Sequence, residues 1–429
     1  MKNSKLLVLF LILLMIAVSS CEKKQSDALK IISYGDSQEI NTYINMFREE
    51  NPDIKVNYLD YEEEYGSDGL TKIKTDIVSG KNCDILISAP DFDVSQYSNK
   101  GMFSDLKKFE GFDEIKEKLL PNIYESIDDD GKIYSLYPNF YLTGVKLAKQ
   151  KNIDENDWNK ANILKLLDEC IENETNLLGN HSDSFYQQMI SQMIEFDMIQ
   201  NNHLDEEWYK SLFEKCKLLA EIEKNNRPDY DNERLYREDK VVCCRNDIMT
   251  FDEYYYYEKA IFGDKICVLD SVNEKNTVNI SSSFVISVFS ISEKQQEAWD
   301  FIRFFFKDDI QKTTMSNYSF PVFKNAFNDL FEAAVSKDVV DSNGKVIGEK
   351  DGKVFFDNKE IDIGIPQKSD LKDFYDLLTS INTKSVWSVD IRNVINENMV
   401  KYFNNTISTD ELYKNVNNIV LMYWGETRS

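Results

Sequence analysis

The strongest constraint on this chain is a hydrophobic period that switches back and forth between residues 29 and 88. Leu29 to Tyr34 has strand character, and Ile40, Tyr43, Ile44 and Phe47 then recur at i, i+3, i+4 and i+7, the spacing of one helix face. Asp36, with Glu39 three residues on, predicts an N-cap for that helix. Asn51-Pro52 ends it, because the residue before a proline is driven out of the α region. Ile54, Val56 and Tyr58 alternate as a second strand, Leu70, Ile73 and Ile77 mark a helix closing at Gly80, and Cys83 to Ser88 is a third strand. A β-α-β-α-β order requires a parallel sheet with right-handed crossovers. A ligand of such a sheet lies beyond the carboxyl ends of its strands. Here those ends are Tyr34-Gly35-Asp36 and Ser88-Ala89-Pro90-Asp91.

Further along, Trp158 to Lys224 reads as helices rich in Leu, Ile and Met, and Asn225 to Lys240 as a polar surface loop. Strand signals return near Val241-Val242, Ile266 to Leu269 and Phe284 to Phe289. Ser292, with Gln295 three positions later, predicts the cap of a helix whose buried face is Ala298, Phe301, Ile302 and Phe305. Two turn signals, Ser342-Asn343-Gly344 and Asp351-Gly352, predict a hairpin or excursion within Val339 to Lys353. Ser408 and Glu411 form a capping box before the last helix. The acidic run Asp60 to Tyr65 reads as a solvated loop.

At the N-terminus Lys2 and Lys5 precede an apolar run of 13 residues, Leu6 to Val18. That matches a signal-peptide core and falls short of the roughly 20 residues needed to span a bilayer. The quartet Val18-Ser19-Ser20-Cys21 resembles the bacterial lipobox, in which the cysteine is lipidated and becomes the first mature residue. Durable anchoring takes more than one acyl chain, which a multiply acylated cysteine supplies. Residues 1–20 are therefore expected to be a signal peptide, 21–28 a lipidated tether, and the protein to be anchored to a bacterial cell membrane on its outer side.

Removing the two lysines of that segment takes the net charge from −25 to −27. So acidic a surface repels phosphate backbones, which argues against nucleic-acid binding. More than 400 residues exceed one core and imply two domains. Beyond Cys21 there are Cys83, Cys170, Cys216, Cys243, Cys244 and Cys267, with no spacing that reveals a disulfide framework. Cys83 and Cys267 fall in strands, where a buried free thiol is expected.

These landmarks, in this order, resemble the extracellular solute-binding proteins of ABC importers, specifically the sugar-type family 1. The likeness rests on LKIISYGDSQEINTYINMFREENPDIKVNYLDY, on IVSGKNCDILIS followed by SNKGMFSDLKKF, on DDDGKIYSLYPNF, on the Ala-Trp-x-Phe helix and Phe-Pro-Val turn of EAWDFIRFFFKDDIQKTTMSNYSFPVF, and on NVINENMVKYFNNTISTDELYKNV. Residues 227–283 match loosely. The resemblance implies an α/β, two-lobe periplasmic-binding-protein-like fold of type II, each lobe a mixed sheet flanked by helices. It implies an N-terminal lobe of 29–136 plus 281–319 and a C-terminal lobe of 137–280 plus 320–429. Crossover strands near Leu136–Tyr141, Leu269–Ser281 and Ser319–Lys324 would hinge the lobes, which shut on a ligand.

Sugars present flat C–H faces and rings of hydroxyls, so their sites pair aromatic platforms with carboxylate and amide acceptors. Asp36 follows the first strand directly, and the family places Asp91 in the cleft. Tyr137 and Tyr141 stand at the first crossover, where one of them would face the ligand. Four consecutive tyrosines, Tyr254 to Tyr257, cannot all share one core face. The family's stacking aromatic maps onto Tyr254 or Tyr255, and we take Tyr255. Trp387 resembles a second family aromatic at the start of a late helix, whereas Trp299 belongs to the helix motif and should be packing.

The two histidines, His181 and His203, lack zinc-binding spacing. Ser126 to Tyr137 resembles a calcium loop but ends in Tyr where a bidentate Glu is required. No Gly-x-Ser-x-Gly or phosphate loop occurs. The resemblance implies a non-catalytic, monomeric receptor, and we expect no cofactor or metal. It would carry an oligosaccharide to the transmembrane subunits of an ABC permease. A receptor for another small solute such as a polyamine, or a surface glycosidase, is the alternative.

Overall fold

The computed structural model describes residues 28–34, 37–80, 83–89, 92, 94–178, 182–225, 234–272, 277–313, 319–340, 345–383 and 389–427. In chain order the strands are β1 (Leu29–Tyr34), β2 (Val56–Asp60), β3 (Ile85–Ser88), β4 (Asn139–Lys149), β5 (Asn176–Leu178), β6 (Val241–Ile248), β7 (Ile266–Leu269), β8 (Ile280–Ser281), β9 (Val285–Val288), β10 (Phe320–Pro321), β11 (Asp338–Val340), β12 (Val346–Glu349), β13 (Lys353–Phe356) and β14 (Lys359–Asp362). The helices used below are α1 (Ser37–Glu50), α2 (Gly69–Val78), α3 (Ser182–Gln200), α4 (Glu206–Asn225), α5 (Phe251–Tyr256), α6 (Gln295–Phe305), α7 (Lys368–Ser380), α8 (Val389–Phe403) and α9 (Thr409–Thr427).

The first sheet has the order β2-β1-β3-β9, with β1 parallel to β2 and β3, and β9 antiparallel on β3. Its parallel part is the β-α-β-α-β unit expected from the period switch. The predicted face of α1 is buried in full, Ile40, Tyr43, Ile44 and Phe47 all lying inside. It packs on α6, edge-on rings meeting at Tyr43–Phe305 (5.3 Å) and Phe47–Phe301 (5.0 Å). Each such ring adds roughly 2–3 kcal/mol of burial. Trp299 is wholly enclosed, stacked on Phe109, with its indole N–H donating to the Glu110 carbonyl at 2.8 Å. Packing is indeed its role.

The spine of the second sheet is β4, which pairs antiparallel with β10, β8, β6 and β7, while β5 joins β6 in parallel. Its outer layer is helical. Tyr186 and Met189 on α3, Tyr209 and Phe213 on α4, Met399 on α8 and Val416 on α9 share one apolar cluster. A second cluster runs without a break from Leu29 and Ile85 of the first sheet, through Phe140 and Leu142 of β4, to Phe251 on α5 and Phe374 on α7.

Some local expectations are corrected. Ser292 does not cap α6: its hydroxyl donates to Asp84 Oδ1 at 2.6 Å and accepts the Lys294 amide, so it ties the helix approach to β3 instead. Asp60 to Tyr65 is not a loop. Asp60 accepts from the amides of Glu62 and Glu63, capping a short helix that buries Tyr61 and leaves its glutamates outward. The excursion after residue 337 is two hairpins, β11–β12 and β13–β14, the second turning on Asp357 and Asn358 in left-handed conformations. The capping box is present, with Ser408 and Glu411 exchanging backbone and side-chain bonds at 2.9 and 3.2 Å. All six described cysteines are free thiols.

Candidate functional site

The carboxyl ends of β1 and β3 lie side by side, Tyr34 opposite Ser88. The Ser88 hydroxyl is buried there with no hydrogen-bond partner among the described residues, although buried polar groups are almost always satisfied. From this sheet two chain passages run together into the second. Leu136 bridges to Ile286 on the first-sheet side, and five residues later Tyr141 pairs with Ser281 on the second-sheet side. Asn139 staples them, accepting from the Ser283 amide at 3.1 Å and donating to the Ser283 hydroxyl at 3.0 Å. A third passage pairs Phe320 with Phe140.

The strands of the second sheet point their carboxyl ends at the same crossing. β6 ends with Ile248 opposite Leu142, β7 ends with Leu269 opposite Lys146, and β5 ends with Leu178 opposite Cys243. A β-bulge interrupts β4 there. Gly144 takes φ +62°, a conformation that costs glycine nothing, and Asp247 Oδ1 accepts from the Gly144 amide (2.6 Å) and the Thr143 hydroxyl (2.9 Å). Beside it is a buried ion pair. Lys146 Nζ lies 3.6 Å from Asp270 Oδ1 and donates to the Asp270 carbonyl and to Gln192 Oε1 of α3, both at 3.2 Å. Asp270 also accepts from the Asn279 amide and side chain and, through its carbonyl, from the Trp158 indole. Burial lowers the Lys146 ammonium and raises the Asp270 carboxyl, each opposed by its partner.

Of the expected site residues, Cys21, Asp36, Asp91 and Trp387 lie outside the described residues. Tyr137 is buried in the core below the crossing, its hydroxyl bonded to that of Ser126, and burial pushes its phenol up. Tyr141 is half-buried on the crossing strand itself, the more exposed of the two. Tyr255 is buried under the second hairpin, donating to the Ile363 carbonyl at 2.9 Å. Its neighbour Tyr254 is a core residue stacked on Phe374, and Tyr256 and Tyr257 are half-buried. The segment continues from α5 into a π-helical turn, Tyr257–Phe262, a rare geometry that recurs at functional sites.

The concave region between the end of α1 and residues 111–118 and 300–308, about 410 Å³, lies elsewhere. Since α1 leaves the carboxyl end of β1, its last turn and Asn51 sit at the opposite edge of the sheet. The lysines there are already paired, Lys118 with Asp308 at 2.9 Å and Lys307 with Glu50. Among the described residues no group of His, Cys, Asp and Glu is placed to hold a metal ion, and no helix is long and apolar enough to cross a membrane.

A family model described as bacterial extracellular solute-binding protein matches residues 42–340. The chain belongs to that family. No curated protein sequence matches it. Solved structures of the same architecture include the ABC substrate-binding protein of Listeria monocytogenes in complex with cycloalternan (TM-score 0.52, 14% identity, 93% of this chain and 99% of that one). A maltose-bound protein of T. maritima aligns with TM-score 0.52 and 12% identity over 92% and 100%. The galacto-N-biose-/lacto-N-biose I-binding protein of the ABC transporter from Bifidobacterium longum, in complex with lacto-N-biose, aligns with 0.51 and 12% over 94% and 98%. The fold of this solute-binding protein is therefore the two-lobe, periplasmic-binding-protein-like one, as the motifs implied.

Lys146, Asp270, Gly144 and Asp247 were not legible as site residues. A lysine inside Val-Lys-Leu-Ala-Lys reads as the solvent face of an alternating strand, and its partner stands 124 residues away. A Gly within a strand, Thr143-Gly144-Val145, was the available signal for the bulge.

Proposed function

We propose that this chain is a lipid-anchored receptor of an ABC importer that captures an oligosaccharide between its lobes and delivers it to the permease. The carrying observation is the convergence of both sheets' strand ends on one crossing, with Tyr141 on the crossing strand and, at the end of β3, a Ser88 hydroxyl that has no hydrogen-bond partner among the described residues. The saccharide ligands of the structural relatives support the choice of solute. Asp36, Asp91, Tyr141, Tyr255 and Trp387 are the proposed contacts, with Tyr137 supporting the hinge from below. Ligand binds the closed arrangement better than the open one and shifts the population by that difference. Residues 29–136 plus 281–319 and 137–280 plus 320–429 are the proposed moving bodies. The lipobox at Cys21 supports the anchor, which would hold the receptor at high effective concentration beside its permease.

The test is a thermal-shift screen of the detergent-extracted protein against neutral and charged oligosaccharides and polyamines, with product analysis alongside. Ligand at a hundred times its dissociation constant adds about 2.7 kcal/mol of stability. A shift with a saccharide and no new products supports the receptor. Products accumulating with time would make it a glycosidase, and a shift with polyamines alone would change the solute.

A further inference from the structure

We propose that the captured saccharide carries an anionic group, a carboxylate in the first instance, and that Arg245 reads it; this rests on the receptor function proposed above. Arg245 lies on β6 directly opposite Lys146, so both side chains leave the same face of the second sheet, the face that α3 covers through Gln192 and Phe185. It is two residues past Cys243, the partner of the last residue of β5, and hence just beyond the carboxyl end of that strand. β5 and β6 are the parallel pair of this mixed sheet, and ligands of α/β sheets lie beyond the carboxyl ends of their parallel strands.

Arg245 is also free. Its side chain is exposed, and among the described residues it makes no ion pair and no side-chain hydrogen bond. The other described arginines all have partners: Arg48 and Arg237 bond backbone carbonyls, Arg234 pairs with Asp357, Arg303 with Asp300 and Arg392 with Glu195. Asp247, two residues further along β6, and Asp270, just past β7, are engaged elsewhere. Asp247 holds the bulge, and Asp270 holds Lys146 and Asn279. The guanidinium lies over Gly144, where an added Cβ would meet its Nη2 at 3.2 Å, so the absence of a side chain at the bulge leaves room for it.

In a chain of net charge −25 an unpaired arginine is conspicuous, since carboxylates are abundant. It also sits close enough to Lys146 to disfavour that buried cation. An anion arriving at Arg245 would relieve this repulsion. The planar guanidinium matches a carboxylate with two parallel hydrogen bonds, a geometry an ammonium cannot reproduce. The acidic surface does not forbid the approach, because at physiological salt fields fade within about 8 Å.

The experiment measures calorimetric affinity of the detergent-extracted protein for matched pairs: trigalacturonate against galactotriose, sialyllactose against lactose, and lactose 6′-sulfate against lactose. The same titrations are run on R245Q and R245K, whose ligand-free melting temperatures confirm folding. The expected result is a preference for the acidic member of at least one pair. R245Q should cut that member's affinity about 10- to 100-fold, the worth of charge-assisted hydrogen bonds, and R245K should recover part of it. The pair showing the preference tells carboxylate from sulfate. Equal affinity for acidic and neutral members would overturn the anion assignment and leave the receptor function standing. So would an R245Q protein that keeps the full preference. Binding of no saccharide would overturn both.

Discussion

The ring of Tyr254 lies on that of Phe374, centroids 4.1 Å apart and planes 3° from parallel, while the next residue, Tyr255, sends its hydroxyl to the Ile363 carbonyl. Adjacent tyrosines thus do different work. The first fills the core beneath α5, and the second fastens that helix to the segment leaving the second hairpin.

Truncation should separate the two. Tyr254→Ala should cost about 3–5 kcal/mol in urea unfolding, as for other large core rings. Tyr255→Phe removes one hydrogen bond and should cost about 1 kcal/mol. If Tyr255 is a stacking platform, Tyr255→Leu should weaken saccharide binding well beyond Tyr255→Phe. Equal affinities of the two variants would assign the ring to structure alone.

The Lys146–Asp270 pair is enclosed, so halving it strands a charge. Asp270→Asn should destabilise the fold by about 3–5 kcal/mol, and Lys146→Met combined with Asp270→Asn by less than Asp270→Asn alone. Chemical denaturation of the three proteins checks this, and a double variant as weak as Asp270→Asn would contradict it.

Glu195 on α3 is buried, neither oxygen is hydrogen-bonded among the described residues, and Arg392 Nε at 3.7 Å is its ion partner. Burial pushes its carboxyl from 4.5 up to about 8, Arg392 opposing. The unfolded chain therefore loses this proton first. The group's contribution is complete below about pH 4.5 and is lost as pH rises toward about 8. Glu195→Gln cannot ionise, so its stability should exceed that of the natural protein increasingly across this window. Parallel melting curves at pH 5 and pH 8.5 read the difference, and an unchanged gap would place the titration elsewhere.

Burial raises the thiols of Cys170 and Cys267, each to about 12, and also lifts those of Cys216 and Cys243 well above the ordinary thiol value. Only the thiolate reacts. Alkylation of the native protein at pH 8 should reach half-buried Cys244 first and the four others only after unfolding. Mass spectrometry of the labelled peptides reads the order, and early labelling of Cys216 would contradict the packing of α4.

How much of this was legible follows from the range of each interaction. The α1 face, the α6 face and the Ser408–Glu411 box are local patterns, and they were readable because their partners lie within two turns. Ser292 looked like a cap for the same local reason. It was claimed by Asp84, 208 residues away, which no short window can see. The burial of Tyr137 and Tyr255 was hidden in the same way, by Ser126 meeting one and Ile363 the other only in the folded chain. Lys146 and Arg245 look alike in sequence, two cations in alternating strands. Only the register that sets them opposite one another, one covered by α3 and one left open, tells them apart.

A receptor of this kind must close on its ligand, and small-angle X-ray scattering of the extracted protein with and without a saturating saccharide measures that closure. The expected result is a smaller radius of gyration in the presence of sugar, reversed on dialysis. A scattering curve unchanged at full occupancy would mean that the two sheets and the strands between them move as one body, and the hinge would have to be abandoned.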